Sequence, residues 1–188
     1  MILTIPNMLT LLRILLIPVF VGVFYVPAPW ANTACAALLA LAGITDWLDG
    51  YLARRMRQTS RFGAFLDPVA DKLMVAAVLV LLVQADPRAV VAVPATIIIG
   101  REIAVSGLRE FMAAVGQRAR VAVVMMGKVK TVAQFVALLM MVYRADIGPV
   151  PVYEVGFWLL YVAAVLTLWS MVVYLRAAWP IMAPKSGE

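Results

Sequence analysis

The chain has 188 residues, 65% of them hydrophobic and only 14% charged. A soluble domain is about half apolar and roughly a quarter charged, so this composition excludes one and requires lipid to cover the surplus apolar surface. The net charge of +6 lies mostly in short polar stretches beside apolar runs, which fits contacts with anionic headgroups and argues against nucleic acid as a partner.

Six apolar segments, roughly 7–27, 31–55, 62–84, 88–115, 121–143 and 153–176, meet the ~20-residue length of a membrane-spanning helix. The first holds Arg13 and lacks a basic leader, so it reads as a retained helix and not a signal peptide. Turn chemistry marks the breaks: Pro27 and Pro29, then Asp86-Pro87, then Gly148-Pro149. Connections this short predict consecutive helices packed as antiparallel neighbours. The whole of 1–188 reads as one integral membrane domain, all-α, with six transmembrane helices.

Loop charges set the orientation. Arg54, Arg55, Arg57 and Arg61 follow the second segment, Arg109, Arg118 and Arg120 follow the fourth, and Arg176 and Lys185 end the chain. The opposite loops hold only Arg88 and Arg144, offset by Asp86, Asp146 and Glu154. Both termini are therefore expected in the cytoplasm. Cys35 is the single cysteine, so no intrachain disulfide is possible. Histidine is absent, which excludes histidine nucleophiles, histidine bases and histidine-ligated zinc.

Four aspartates stand where apolar residues would be cheaper, at about 2.5–3.5 kcal/mol each for a helix centre. Asp46 and Asp49 are three apart in the second segment, and Asp67 and Asp71 four apart in the third. Each pair occupies one helical face. Folding the two segments about residue 58 sets Asp49 level with Asp67 and Asp46 level with Asp71, near the cytoplasmic surface. Converging carboxylates repel unless cations lie between them. An all-oxygen donor set favours Mg²⁺ or Mn²⁺, and four carboxylates suit two such ions, ~3.5–4 Å apart, clamping a phosphoryl group. Asp67 precedes Pro68, which predicts an N-cap or a kink there. Gly50 and Gly63 allow close approach of a ligand or of another helix, and Arg54 either grips a phosphate or snorkels to the interface.

The run Asp46-Trp47-Leu48-Asp49-Gly50-Tyr51-Leu52-Ala53-Arg54, followed by Gly63-Ala64-Phe65-Leu66-Asp67-Pro68-Val69-Ala70-Asp71, resembles the signature of the CDP-alcohol phosphatidyltransferase family. Every fixed position matches. The resemblance implies a six-helix membrane fold, usually a homodimer, that moves a phosphatidyl group from CDP-diacylglycerol to an alcohol and releases CMP. It also implies Asp46, Asp49, Asp67 and Asp71 as metal ligands, with Asp71 the base for the attacking hydroxyl. Gly50, Ala53, Arg54 and Gly63 would form the cytidine-diphosphate site.

The acceptor is approached through charges buried further along. Arg101 and Glu102 lie inside the fourth segment, Arg109 near its end, and Lys128 and Lys130 early in the fifth. Several cations suit a doubly charged phosphate monoester better than a neutral alcohol. Residues 5–13, 100–103 and 127–134 resemble the branch of the family that uses sn-glycerol 3-phosphate and makes phosphatidylglycerophosphate. By that likeness Asn7, Thr10 and Arg13 lie near the nucleotide or metal site, with helix packing the alternative for Asn7 and Thr10. Bacterial members occupy the inner membrane. Two rivals are another acceptor (phosphatidylglycerol, serine or inositol phosphate) and, more distantly, a cation transporter.

Overall fold

A computed structural model describes residues 5–56, 61–116 and 126–182, which form six helices and no strand beyond one bridge between Ile147 and Val150. The helices are α1 (Ile5–Phe24), α2 (Ala31–Met56), α3 (Arg61–Ala85), α4 (Ala89–Ala114), α5 (Met126–Tyr143) and α6 (Val152–Met182). Each of the six apolar segments thus yields one helix. Helices are the form that satisfies every backbone group within a single segment when no water is at hand.

Four of them, α1, α2, α4 and α6, are long and apolar enough to cross a membrane. In α3 the first half carries Arg61, Asp67, Asp71 and Lys72, and in α5 the apolar stretch is Lys130–Tyr143. These two helices spend part of their length on charge. One apolar core runs through the bundle, with Phe20, Leu39, Val78, Ile98, Leu138 and Leu160 contributed in turn by α1 to α6. The outward faces are equally apolar, for example Leu15, Val80, Ile103, Val132 and Val165. A helix apolar all round belongs in hydrocarbon.

The order of packing differs from the order of the chain. α1 packs against both α2 and α3, while α6 packs against both α4 and α5; α2 with α5 and α3 with α4 complete a ring, and α3 touches α5 across it. Consecutive helices are therefore neighbours for α1–α2, α3–α4 and α5–α6. The expectation fails for α2–α3 and α4–α5: among the described residues their close packing is with α1 and α6, and α4 meets α5 through the side chains of Glu102 and Lys130. Pro68 lies inside α3, so Asp67 is not an N-cap and sits one turn and a half into a continuing helix.

The two ends of the bundle carry different chemistry. At the 25–30, 86–88 and 144–151 end, the Tyr25 hydroxyl donates to Gln84 Oε1 at 2.5 Å and the Tyr153 hydroxyl to Asp86 Oδ2 at 2.8 Å. Arg88 donates to both oxygens of Asp86 at 2.7 and 2.6 Å, which holds that carboxyl well below the usual carboxylate range. The Arg144 guanidinium lies 5.6 Å from the centre of the Tyr153 ring. This end is self-neutralised. All the acidic and basic residues singled out above as site candidates lie toward the other end.

Small residues let the ring close. A Cβ on Gly156 would stand 2.8 Å from Met140 Cβ and 3.0 Å from the Ala137 carbonyl oxygen, so α6 can meet α5 only through glycine there. Gly22 has open space at the same test. Gly156→Ala is expected to destabilise the protein by about 1–3 kcal/mol through overpacking. Gly22→Ala should be neutral or stabilising by up to roughly 1 kcal/mol. Thermal unfolding in detergent measures both, and equal midpoints for the two variants would contradict the close α5–α6 approach.

Candidate active site

α1 presents a buried stripe at spacings of three and four: Asn7, Thr10, Arg13, Leu16 and Phe20. Leu16 and Phe20 join the core, while the polar three lie at the aspartate end. Arg13 is 1% exposed; its Nη1 donates to Asp46 Oδ1 at 2.6 Å and its Nη2 to Asp49 Oδ2. On the other flank, Thr10 Oγ1 donates to Asp67 Oδ1 at 2.5 Å. One helix thus engages three carboxylates on two other helices. Asp49 is buried, whereas the Asp46 side chain is 47% exposed.

The expected direct meeting of four carboxylates is altered by this wedge. Among the described residues no three carboxylate, histidine or cysteine side chains close on a common point that could hold a metal ion. The reason is that the hairpin construction set α2 directly against α3, and α1 occupies that seam. The donor chemistry nevertheless fits a hard divalent cation, being all carboxylate oxygen. A positive centre, the Arg13 guanidinium, already lies between Asp46 and Asp49. The fourth aspartate, Asp71, lies one turn beyond Asp67 on α3.

Asp71 also lines two cavities. One, of about 550 Å³, begins at Arg13, Asp46 and Trp47 and continues between α2 and α5 over apolar walls such as Leu39, Ala40 and Val132. The other, of about 290 Å³, is lined by Lys72, Arg101, Glu102, Arg109 and Lys130, with Tyr174 at its wall. A mostly apolar groove and a pocket holding four cations therefore meet at one carboxylate.

The cationic pocket is built by cross-links between helices. Arg101 Nη1 donates to Glu102 Oε1 at 2.6 Å and Nη2 to Ser170 Oγ at 2.9 Å. Lys130 Nζ lies 3.6 Å from the same Glu102 oxygen, so Glu102 serves two buried cations. Arg109 Nη2 donates to the Tyr174 hydroxyl at 3.2 Å, with its guanidinium 5.3 Å from that ring's centre. Lys72 donates to Ser106, whose hydroxyl donates to the Glu102 carbonyl at 2.5 Å. Cations outnumber carboxylates among these groups, and such a surplus in a partly dry pocket selects an anion.

Of the residues expected at an acceptor site, Arg101, Glu102, Arg109 and Lys130 come together in this pocket. Lys128 lies on α5 and Gly50, Ala53 and Arg54 on α2, and the surroundings of these four lie outside what is described. Gly63 is buried on α3, one turn before Asp67. Lys72, Ser106, Ser170 and Tyr174 were missed from sequence. Lys72 carried a signal, a charge beside Asp71 in an apolar helix. Ser170 and Tyr174 carried only their four-residue spacing, which α6 shares with any packed helix.

The family described as CDP-alcohol phosphatidyltransferase matches residues 3–169 of the chain. The chain is 53% identical over 177 residues, 94% of its length and 96% of the relative's, to a CDP-diacylglycerol–glycerol-3-phosphate 3-phosphatidyltransferase of Yersinia pestis (strain Pestoides F). Proteins of the same name from Sodalis glossinidius (strain morsitans) and Shigella flexneri serotype 5b (strain 8401) are also 53% identical. Those matches span 176 and 174 residues, 94% and 93% of this chain and 95% and 94% of theirs.

Glu102→Gln removes the one carboxylate that Arg101 and Lys130 share. Two buried cations then lack their counter-charge, and the expected loss is roughly 1–3 kcal/mol, below the full buried-pair value because Glu102 is partly open. Millimolar inorganic phosphate should restore much of the variant's thermal midpoint by supplying the missing negative charge. Thermal scans with and without phosphate test this, and a variant indifferent to phosphate would refute the pocket as an anion site.

Proposed function

Because the chain belongs to the CDP-alcohol phosphatidyltransferase family, we propose that it transfers the phosphatidyl group of CDP-diacylglycerol to sn-glycerol 3-phosphate. The products are phosphatidylglycerophosphate and CMP. The observation that carries this reading is the position of Asp71, at the junction between an apolar groove that begins at Arg13 and Asp46 and a pocket lined by Arg101, Arg109 and Lys130. The printed names of relatives 53% identical to this chain support the same acceptor.

The groups divide the work as follows. The groove between α2 and α5 takes the lipid end of CDP-diacylglycerol, whose acyl chains match its apolar walls. Gly50, Ala53, Arg54 and Gly63 take the cytidine diphosphate. Arg101, Arg109 and Lys130 hold the acceptor's phosphate, and Glu102 holds Arg101 and Lys130 in place. Lys128 belongs to the same set. This leaves the acceptor's primary hydroxyl beside Asp71. Asp71 accepts the hydroxyl proton while the oxygen bonds to the phosphatidyl phosphorus, and the bond from that phosphorus to the CMP oxygen breaks. Asp46, Asp49, Asp67 and Asp71 would hold two divalent ions, Mg²⁺ or Mn²⁺, which when bound supply positive charge to the pyrophosphate and the leaving CMP. Holding both substrates against one carboxylate makes direct transfer a matter of orientation. No phosphatidyl-enzyme is needed, and no histidine is present to form one.

The same reading makes the chain a six-span homodimer of the bacterial inner membrane, with both termini and the site facing the cytoplasm. Supporting this orientation, Arg54 and Arg55 on α2, Arg61 on α3 and Arg109 on α4 share one end of the bundle with the site residues, while Arg57, Arg118 and Arg120 lie outside the described residues.

Purified protein given CDP-diacylglycerol, Mg²⁺ and a panel of acceptors should release CMP with sn-glycerol 3-phosphate and not with serine, phosphatidylglycerol or inositol phosphate. Transfer to one of the others alone would overturn the acceptor. Chelation should abolish activity, with Mg²⁺ or Mn²⁺ restoring it.

Arg101→Ala should raise the KM for glycerol 3-phosphate about tenfold or more, the value of a charge-assisted hydrogen bond, and leave that for CDP-diacylglycerol nearly unchanged. Equal rises in both would remove Arg101 from the acceptor site.

A further inference from the structure

We propose that α1 is the orienting scaffold of the metal site: Thr10 and Arg13 act as positioning residues that hold Asp67, Asp46 and Asp49 and are not themselves ligands of the nucleotide. This rests on the divalent-ion reading given above and assigns roles within that site. Likeness to relatives put these residues near the nucleotide or the metal without distinguishing the two. The geometry does distinguish them. Both terminal nitrogens of Arg13 are committed to carboxylates, and the side chain is buried. Thr10 is fully buried, and its hydroxyl donates to Asp67.

Three features argue that these contacts orient the carboxylates and do more than fill space. First, each contact reaches a carboxylate through one oxygen: Oδ1 of Asp46, Oδ2 of Asp49 and Oδ1 of Asp67. A carboxylate offers about four lone-pair sites on two oxygens, so it can accept such a bond and ligate a cation in the same rotamer. Second, Thr10 and Arg13 are three apart and so share a face, from which they reach two different helices. Rotation or sliding of α1 would disturb both carboxylate pairs at once. Third, α1 packs closely against both α2 and α3, whereas those two make at most slight contact with each other among the described residues, so α1 is the part that fixes their acidic faces relative to each other. Metal-ligating carboxylates are ordinarily held by such outer hydrogen bonds, and removing one typically costs 10–100-fold in metal affinity or activity.

The test measures metal binding in the absence of either substrate. Chelator-stripped full-length protein in detergent is titrated with Mn²⁺, and the free ion is followed by electron paramagnetic resonance. Thr10→Val keeps the shape and removes the donor, and it should weaken Mn²⁺ binding about tenfold or more. Thr10→Ser, which restores the hydroxyl, should return the affinity to within a few-fold of wild type. The metal-free thermal midpoint of each variant is read alongside, so that loss of fold is not mistaken for loss of orientation. Arg13→Gln should also weaken binding. Wild-type affinity in Thr10→Val would overturn the scaffold role, and tighter binding in Arg13→Gln would make Arg13 a competing cation. A wild-type protein that binds no Mn²⁺ would instead overturn the divalent-ion reading itself, which separates the two failures.

Discussion

An ionised carboxylate inside an apolar helix is tolerated only with a partner, and the contact on which the rest of this structure depends is the one between Arg13 and the pair Asp46 and Asp49. Either aspartate alone would cost about 2.5–3.5 kcal/mol at a helix centre, and two on adjacent turns repel. A buried arginine is no cheaper by itself. Together they form a fork in which one planar cation accommodates two carboxylates, a geometry that lysine's compact ammonium could not provide. The interaction also fixes the order of the helices. For Arg13 to reach α2 while Thr10 reaches α3, α1 must lie between them.

That order determines the shape of the site. With α1 holding α2 and α3 on either flank, the acidic face of α3 looks inward past α1 toward α4 and α5. Asp71, with Val75, Thr131 and Phe135, then lies between the apolar groove along α2 and α5 and the cation-lined pocket of α4, α5 and α6. A lipid-linked donor and a water-soluble anionic acceptor have opposite solvation needs, so a shared cavity would serve neither well. Two cavities of opposite character, open to one carboxylate, resolve that conflict. The self-neutralised opposite end offers no such asymmetry: Asp86 is occupied by Arg88 and Tyr153.

Much of this was legible in the sequence, because the strongest signals in a membrane chain are local ones. Segment lengths produced six helices in the expected places, and charges in costly positions pointed to Asp46, Asp49, Arg101, Glu102 and Lys130, all of which are engaged in interhelix or neighbouring ion pairs. What stayed hidden is which helices touch. A helical wheel states the face a residue occupies and says nothing of the neighbour opposite, so the hairpin of α2 and α3 was drawn closed when α1 stands in it. The same limit concealed Ser170 and Tyr174. A hydroxyl in a membrane helix gives no hint that an arginine on α4 will meet it. Of the two readings of Asp67, an N-cap or a kink, the N-cap fails for a different reason. The residue before a proline usually leaves helical geometry, but α3 continues through Pro68 within the packed bundle.

The buried cations of α4 and α5 extend this argument from fold to chemistry. Stability alone would be better served by apolar side chains at 101 and 130, since replacing a buried ion pair with packed hydrocarbon is often neutral or stabilising by about 1–4 kcal/mol. Glu102 is one carboxylate shared by two cations, so the cluster is short of negative charge as it stands. Within an apolar bundle, that deficit is best explained by an anion that arrives and leaves. On the proposed reading, the acceptor's phosphate would supply the missing charge while bound, so the pocket would be electrostatically complete only in the complex. Binding energy used in this way would fix the acceptor's hydroxyl beside Asp71, the base of the proposed reaction, so that orientation and proton removal act on the same atom.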